Sequence, residues 1–144
     1  MIEKELIAEK VQLISRDLTR LEIFQHQTFD EAAKDFMKYA ALKNILMEII
    51  GRAIDINRHL IAERMSLVAN APKSYQETFL CLSEIKALPP VFAERIAQSA
   101  GFRNAIVHEY NHLDEGTVYK TVGEAIAQYA EYCQHIIDFL KTVP

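Results

Sequence analysis

Apolar residues recur at helical spacing along most of the chain, and this periodicity limits the possible folds more than any other feature. In residues 2 to 24 they follow one another at alternating steps of four and three, which places them on one face of a helix. The positions are Ile7, Val11, Ile14, Leu18 and Leu21. No segment has the period-two alternation that is typical of a half-buried strand. The sequence therefore predicts an all-α fold.

A long second helix is predicted from an N-cap at Thr28 or Asp30 to about residue 65. This stretch is dense in strong helix formers and contains no Pro. Gly51 lies inside it at a cost of about 1 kcal/mol relative to Ala. We therefore expect either that a neighbouring element packs closely against Gly51 or that the helix bends there.

Three further helices follow. Ser74 and Glu77 have the spacing of a capping box, so they predict a shorter third helix that ends near residue 85. A fourth covers residues 91 to about 111, with Gly101 as a point where an interruption is open, and a fifth runs from Thr117 to about Lys141. An antiparallel bundle of four main helices and one shorter helix is the natural way to bury the apolar stripes.

Length and composition indicate one globular domain over residues 1–144, because 144 residues can bury one sizeable core. No apolar run approaches the roughly 20 residues that cross a bilayer, and the charged N-terminus does not resemble a signal peptide. We therefore expect a cytoplasmic protein with no membrane association. Cys81 and Cys133 are expected to be buried and reduced.

The charge pattern provides no tract for non-specific binding to nucleic acid. The formal net charge is -4, and no Lys or Arg is adjacent to another. This pattern remains compatible with a local positive cleft, especially one assembled from two copies of the chain.

Polar and ionisable residues concentrate in residues 101 to 114, inside an otherwise apolar helix. On a helix, Arg103 and Tyr110 share one stripe, while Asn104 and His108 share the next stripe about 100° round. Arg can donate paired hydrogen bonds to phosphate oxygens, His can transfer a proton near neutral pH, and Asn can orient either group. This set of side chains is suited to a phosphodiester.

Cleavage of RNA without a metal needs a base for the 2'-hydroxyl, a donor that stabilises the phosphorane, and an acid for the leaving 5'-oxygen. One His and one Arg supply the donor and a single proton transfer. Two copies related by a two-fold axis supply all three functions. The chemistry therefore predicts a homodimer with these residues at its interface.

The stretch from Arg103 to Tyr110 resembles the Arg-x4-His-x-Tyr signature of HepT-like toxins in the HEPN superfamily. The resemblance extends over the whole chain in helix order, length and motif position. It implies a HEPN-like dimeric fold and a metal-independent endoribonuclease that cleaves tRNA or mRNA, needs no cofactor and is toxic to its own cell. Arg103 and His108 would be catalytic in such an enzyme.

The same resemblance implies a partner. Toxins of this family are encoded with a minimal nucleotidyltransferase antitoxin, in a type VII-like toxin-antitoxin pair. The position of Tyr110 is the one that the antitoxin modifies with AMP. An added nucleotide would bring bulk and negative charge beside His108, so it would block RNA and repel its backbone.

Two other interpretations stay open. His108 and His112 match the H-E-x-x-H pattern of zinc proteases, but that pattern specifies only three residues, and the chain offers neither a clear third ligand nor a strand for substrate. Alternatively, the bundle is a non-catalytic partner or nucleotide-binding module for a nucleotidyltransferase.

Asp55 and His59 lie one turn apart on the second helix. Asp55 is a candidate for supporting the site together with Asn104, since an acidic residue could orient a nearby His or Arg. The simpler interpretation is a surface pair worth a few tenths of a kcal/mol.

Overall fold

The structure is a computed structural model that describes the backbone of residues 1–25, 35–109 and 115–144, and the side chains of residues 1–24, 35–103 and 122–144. Within these ranges the chain is helical and contains no strand, which confirms the all-α prediction there. The helices are α1 (Lys4–Gln25), α2 (Phe36–Glu63), α3 (Tyr75–Glu84), α4 (Pro90–Glu109) and α5 (Glu115–Thr142), with a 3-10 turn at Met65–Leu67.

The helix starts follow local capping chemistry. Ser74 caps α3 by accepting a hydrogen bond from the Glu77 amide, as the capping-box spacing predicts. The N-cap of α2 is Asp35, whose carboxylate accepts hydrogen bonds from the amides of Met37 and Lys38. The predicted caps Thr28 and Asp30 lie outside the described residues.

Helix α4 continues without a break through Gly101, so the interruption left open there does not occur. A Cβ atom at this position would lie 2.8 Å from Nε2 of Gln76 on α3. Gln76 is exposed, and Nε2 is the end of its flexible side chain. The glutamine side chain thus lies over Gly101 and can turn aside for a larger residue.

Helix α2 is the centre of the fold, because it contacts each of the other four helices. Helix α1 packs against α2 and α5, and α3 packs against α2 and α4. One continuous apolar core lies between them. No helix in the described ranges is long and apolar enough to cross a membrane. The antiparallel order of four main helices, the single domain and the dimer stay predictions.

A chain of buried hydrogen bonds joins α5, α2 and α3. The Tyr132 hydroxyl donates to Oδ1 of Asn57 at 2.6 Å, and the Asn57 amide donates to Oγ1 of Thr78 at 3.2 Å. Thr78 in turn donates to the carbonyl oxygen of Tyr75 at 2.6 Å. Because each buried polar group has a partner, the network fixes the three helices relative to one another without leaving a donor unpaired.

A second polar contact joins α1 to α2. The carboxylate of Asp17 is 1% exposed and forms an ion pair with Arg52. Arg16 and Arg20 also approach it, each at 3.5 Å. Removing the charge of a buried carboxylate leaves its cationic partner uncompensated, and this is costly.

We predict that Asp17→Asn lowers the free energy of unfolding by about 3 kcal/mol, because Arg52 loses its buried counter-ion and keeps only the exposed Glu48, at 3.4 Å. Urea denaturation at a fixed protein concentration measures the change. Asp138→Asn is the matched control, since Asp138 forms an exposed pair with Lys141 at 3.8 Å and should change stability by less than about 1 kcal/mol. Equal losses in the two variants would contradict a structural role for the buried pair.

The two thiols are buried and unpaired by disulfides, as predicted for Cys81 and Cys133. Burial raises the pKa of Cys133 from 9.0 to about 11. Burial also raises the pKa of the phenols of Tyr129 and Tyr132 above their usual 10.0. All three groups therefore stay protonated in the core at pH values where they would ionise in the unfolded chain.

A folded-state pKa above the unfolded value contributes stability at low pH that is lost as the pH rises. We predict that stability falls as the pH rises from about 9 towards 11, the interval set by Cys133. Urea midpoints across this range measure the loss. Cys133→Ala removes one of the ionising groups and should make the decline shallower; identical declines in the parent and the variant would contradict the prediction.

Candidate active site around Arg103

Arg103 lies where α4 meets α2 and the start of α3. A Cβ atom at Gly51 would lie 3.9 Å from Nε of Arg103, so the arginine side chain passes over the bare backbone of α2. Its guanidinium carbon is 5.4 Å from the centre of the Tyr75 ring, a cation–π contact. Arg103 is thus a neighbour of Gly51 at ordinary van der Waals distance, which leaves room for a Cβ at this position.

The guanidinium of Arg103 has hydrogen-bonding capacity that the described residues do not use. Nε is buried and has no hydrogen-bond partner among them. No described carboxylate lies within ion-pair distance either, so Arg103 has no ion-pair partner in this part of the chain. An unpaired buried donor costs about 1–3 kcal/mol, which an incoming oxygen ligand would recover. The arrangement is suited to binding an anion.

The other motif residues are less fully described. Asn104 and His108 belong to the backbone of α4, but their side chains lie outside the described residues, as does Tyr110 altogether. The predicted convergence of Arg103, Asn104 and His108 therefore stays a prediction. Helical geometry still places Asn104 and His108 on one stripe, about 100° from Arg103.

Asp55 lies one turn after Gly51 on the same face of α2. Its carboxylate is largely exposed and lies 3.8 Å from Nζ of Lys10 on α1. His59 accepts a hydrogen bond from the backbone amide of Glu3 at 3.2 Å through Nε2. The described contacts of both residues thus reach α1, and none joins Asp55 to Arg103.

Two residues outside the predicted site, Tyr75 and Arg58, are linked to Arg103 through ring contacts. The guanidinium carbon of Arg58 is 5.5 Å from the centre of the same Tyr75 ring that Arg103 covers. Arg58 is two helical turns after Gly51, so it shares a stripe of α2 with the position facing Arg103. The helical spacing between Gly51 and Arg58 was the only sequence signal for Arg58. It indicates a site residue only once the structure shows that Tyr75 on α3 lies beside α2.

The zinc interpretation finds no support in the described side chains, among which no group of three or more His, Cys, Asp or Glu is placed to hold a metal. The side chains of His108 and His112 lie outside this set.

In the described ranges the protein is all-helical, with a buried arginine Nε that has no hydrogen-bond partner among the described residues at the meeting point of three helices. Comparison of sequences identifies the family of this helical protein. The family model for HepT-like ribonucleases matches residues 14–136. A tRNA nuclease HepT from Aphanizomenon flos-aquae is 33% identical over 144 residues, which covers 99% of this chain and 95% of that protein. The chain belongs to the HepT-like ribonuclease family.

Solved structures share the fold. The cytosolic protein of unknown function YutE from Bacillus subtilis superimposes with a TM-score of 0.81 at 18% identity, covering 98% of this chain and 92% of that one. The tri-AMPylated HEPN toxin of Shewanella oneidensis, in complex with its MNT antitoxin, gives a TM-score of 0.80 at 20% identity over 92% of this chain and 96% of that one. The HEPN-like fold is thereby established.

The contact between Gly51 and Arg103 yields a stability prediction. Because a Cβ at Gly51 would make an ordinary van der Waals contact, Gly51→Ala should raise the free energy of unfolding by up to about 1 kcal/mol through helix propensity. Gly123→Ala in α5 is the control, since a Cβ there meets nothing within 4 Å. Urea denaturation compares the two. Destabilisation by Gly51→Ala alongside stabilisation by Gly123→Ala would show that Arg103 needs the bare backbone.

Proposed function

We propose that the chain is a metal-independent endoribonuclease toxin that cleaves tRNA or mRNA as a homodimer. The observation that carries the proposal is Arg103, whose guanidinium is held over Gly51 and Tyr75 with a buried, unpaired Nε and no described carboxylate nearby. Membership of the HepT-like ribonuclease family supports RNA as the anion.

Arg103 and His108 divide the chemistry between them. Arg103 donates hydrogen bonds to the non-bridging oxygens of the scissile phosphate and stabilises the charge that develops in the phosphorane. His108 transfers protons, and Asn104 orients the phosphate or the imidazole. Attack by the 2'-oxygen breaks the bond to the 5'-oxygen, so the products carry a 2',3'-cyclic phosphate and a 5'-hydroxyl.

The dimer completes the set of proton transfers. One imidazole can remove the 2'-hydroxyl proton while its counterpart from the second copy protonates the leaving oxygen. Two-fold symmetry then brings two copies of Arg103 and His108 to one cleft. Asp55, on the same face of α2 as Gly51, supports the rim of this cleft.

We propose that modification of Tyr110 inhibits the ribonuclease. We infer that a minimal nucleotidyltransferase antitoxin attaches AMP to its hydroxyl, two residues from His108, and so blocks the RNA path by bulk and charge. The AMPylated Shewanella oneidensis toxin in complex with its MNT antitoxin has the same fold, which supports this assignment. The alternative is a non-catalytic module that only presents Tyr110 or a nucleotide-binding groove to such a partner.

We predict that His108→Ala and Arg103→Ala each lower the rate of RNA cleavage by about 10²–10⁴-fold, because each removes a proton transfer or the phosphorane donor. The assay uses purified protein on total RNA with EDTA present, with mapping of the new ends. Arg95→Ala, an exposed arginine elsewhere on α4, is the control and should cleave at the parental rate.

Three outcomes would overturn parts of the proposal. Undiminished cleavage by His108→Ala would remove the catalytic assignment. Cleavage that requires an added metal would contradict the metal-independent chemistry. A parent protein that binds a nucleotidyltransferase but never cleaves RNA would favour the non-catalytic module.

A further inference from the structure

A cavity of about 330 Å³ opens beside the Tyr75 ring. Its charged lining residues are Arg58 and Lys73, and no carboxylate borders it. Three other cavities among the described residues each have at least one Asp or Glu in their lining. The cavity beside Tyr75 is therefore cationic in a protein whose net charge is -4.

The two cations of this cavity are available to a ligand. Arg58 and Lys73 are exposed. Neither side chain forms an ion pair with a described carboxylate. The Glu77 carboxylate accepts a hydrogen bond from the backbone amide of Lys73 and not from its ammonium group. The guanidinium carbon of Arg58 lies 5.5 Å from the centre of the Tyr75 ring, and a cation–π contact leaves the N–H groups able to donate to an oxygen ligand. Unneutralised cations at a concave surface focus positive potential there.

The cavity adjoins the candidate active site through one aromatic ring. Arg58 and Arg103 each lie within 5.5 Å of the centre of the Tyr75 ring. A strand that brings one phosphate to Arg103 can therefore place a neighbouring phosphate near Arg58. Successive phosphates of a single strand are the repeating anions that two neighbouring guanidinium groups can bind together.

We propose that Arg58, Lys73 and the cavity beside Tyr75 form a subsite for the backbone phosphate that flanks the scissile phosphate on the same RNA strand. This subsite rests on the proposed ribonuclease function. It supplies affinity and register for the strand, and the bond-breaking chemistry stays with Arg103 and His108. The phosphate of a free mononucleotide has the same chemistry, so the test must separate the two sources.

The test measures binding apart from cleavage. The probe is a fluorescent single-stranded oligoribonucleotide with 2'-O-methyl groups, which cannot supply the attacking hydroxyl. Arg58→Ala should raise the Kd about tenfold, the loss expected for charge-assisted hydrogen bonds. The slope of log affinity against log salt should fall by about 0.7, the value for one phosphate contact on a single strand.

Arg95→Ala is the matched control. The guanidinium carbon of Arg95 lies 5.7 Å from the centre of the Phe92 ring, so this variant loses the same charge and the same kind of ring contact at another place. It should bind the probe with parental affinity and parental salt dependence. If Arg58→Ala fails to fold by circular dichroism, Lys73→Ala in the exposed loop before α3 tests the same subsite.

Each outcome decides the proposal. Equal affinity of the Arg58→Ala and Arg95→Ala variants, or no probe binding by the parent, overturns the subsite. Weakened binding of ATP in Arg58→Ala with unchanged oligonucleotide binding also overturns it and indicates a mononucleotide site. Arg58-dependent binding without any cleavage of unmodified RNA by the parent leaves the subsite standing while the ribonuclease proposal fails.

Discussion

The buried hydrogen bonds from Tyr132 through Asn57 to Thr78 are the interaction on which the candidate site depends. They tie α5 and α2 to α3 within the buried core, where a polar group without a hydrogen-bond partner would destabilise the fold. The last bond of the chain ends on the carbonyl of Tyr75. The core therefore fixes the backbone position of Tyr75, whose ring contacts both Arg58 and Arg103. The geometry of the candidate site thus depends on how α5, α2 and α3 pack together.

The candidate site differs from the rest of the described structure in how its charge is compensated. Arg103 passes over Gly51 at ordinary van der Waals distance, and its guanidinium contacts the Tyr75 ring. The buried carboxylate of Asp17 pairs with Arg52. Among the described residues, the buried Nε of Arg103 has no such partner.

Local sequence patterns predicted most of the fold and part of the site. The helical spacing of apolar residues and the Ser74 capping box predicted the helices correctly, because helix formation depends on residues only a few positions apart in the chain. The helix Phe36–Glu63 is capped by Asp35, which was not among the predicted caps; Thr28 and Asp30, the predicted caps, lie outside the described residues. Arg58 was missed because its partner, Tyr75, lies on another helix, and no spacing within one helix encodes that contact. The motif from Arg103 to Tyr110 was recognisable because it is contiguous in the chain.

The shared ring of Tyr75 has a consequence for how the two cations beside it respond to substitution. Arg58 on α2 and Arg103 on α4 both contact this ring. A change that displaces Tyr75 therefore alters the surroundings of two guanidinium groups at once. Residues that share a partner in this way are energetically coupled, so the free-energy effects of replacing Arg58 and Arg103 need not add.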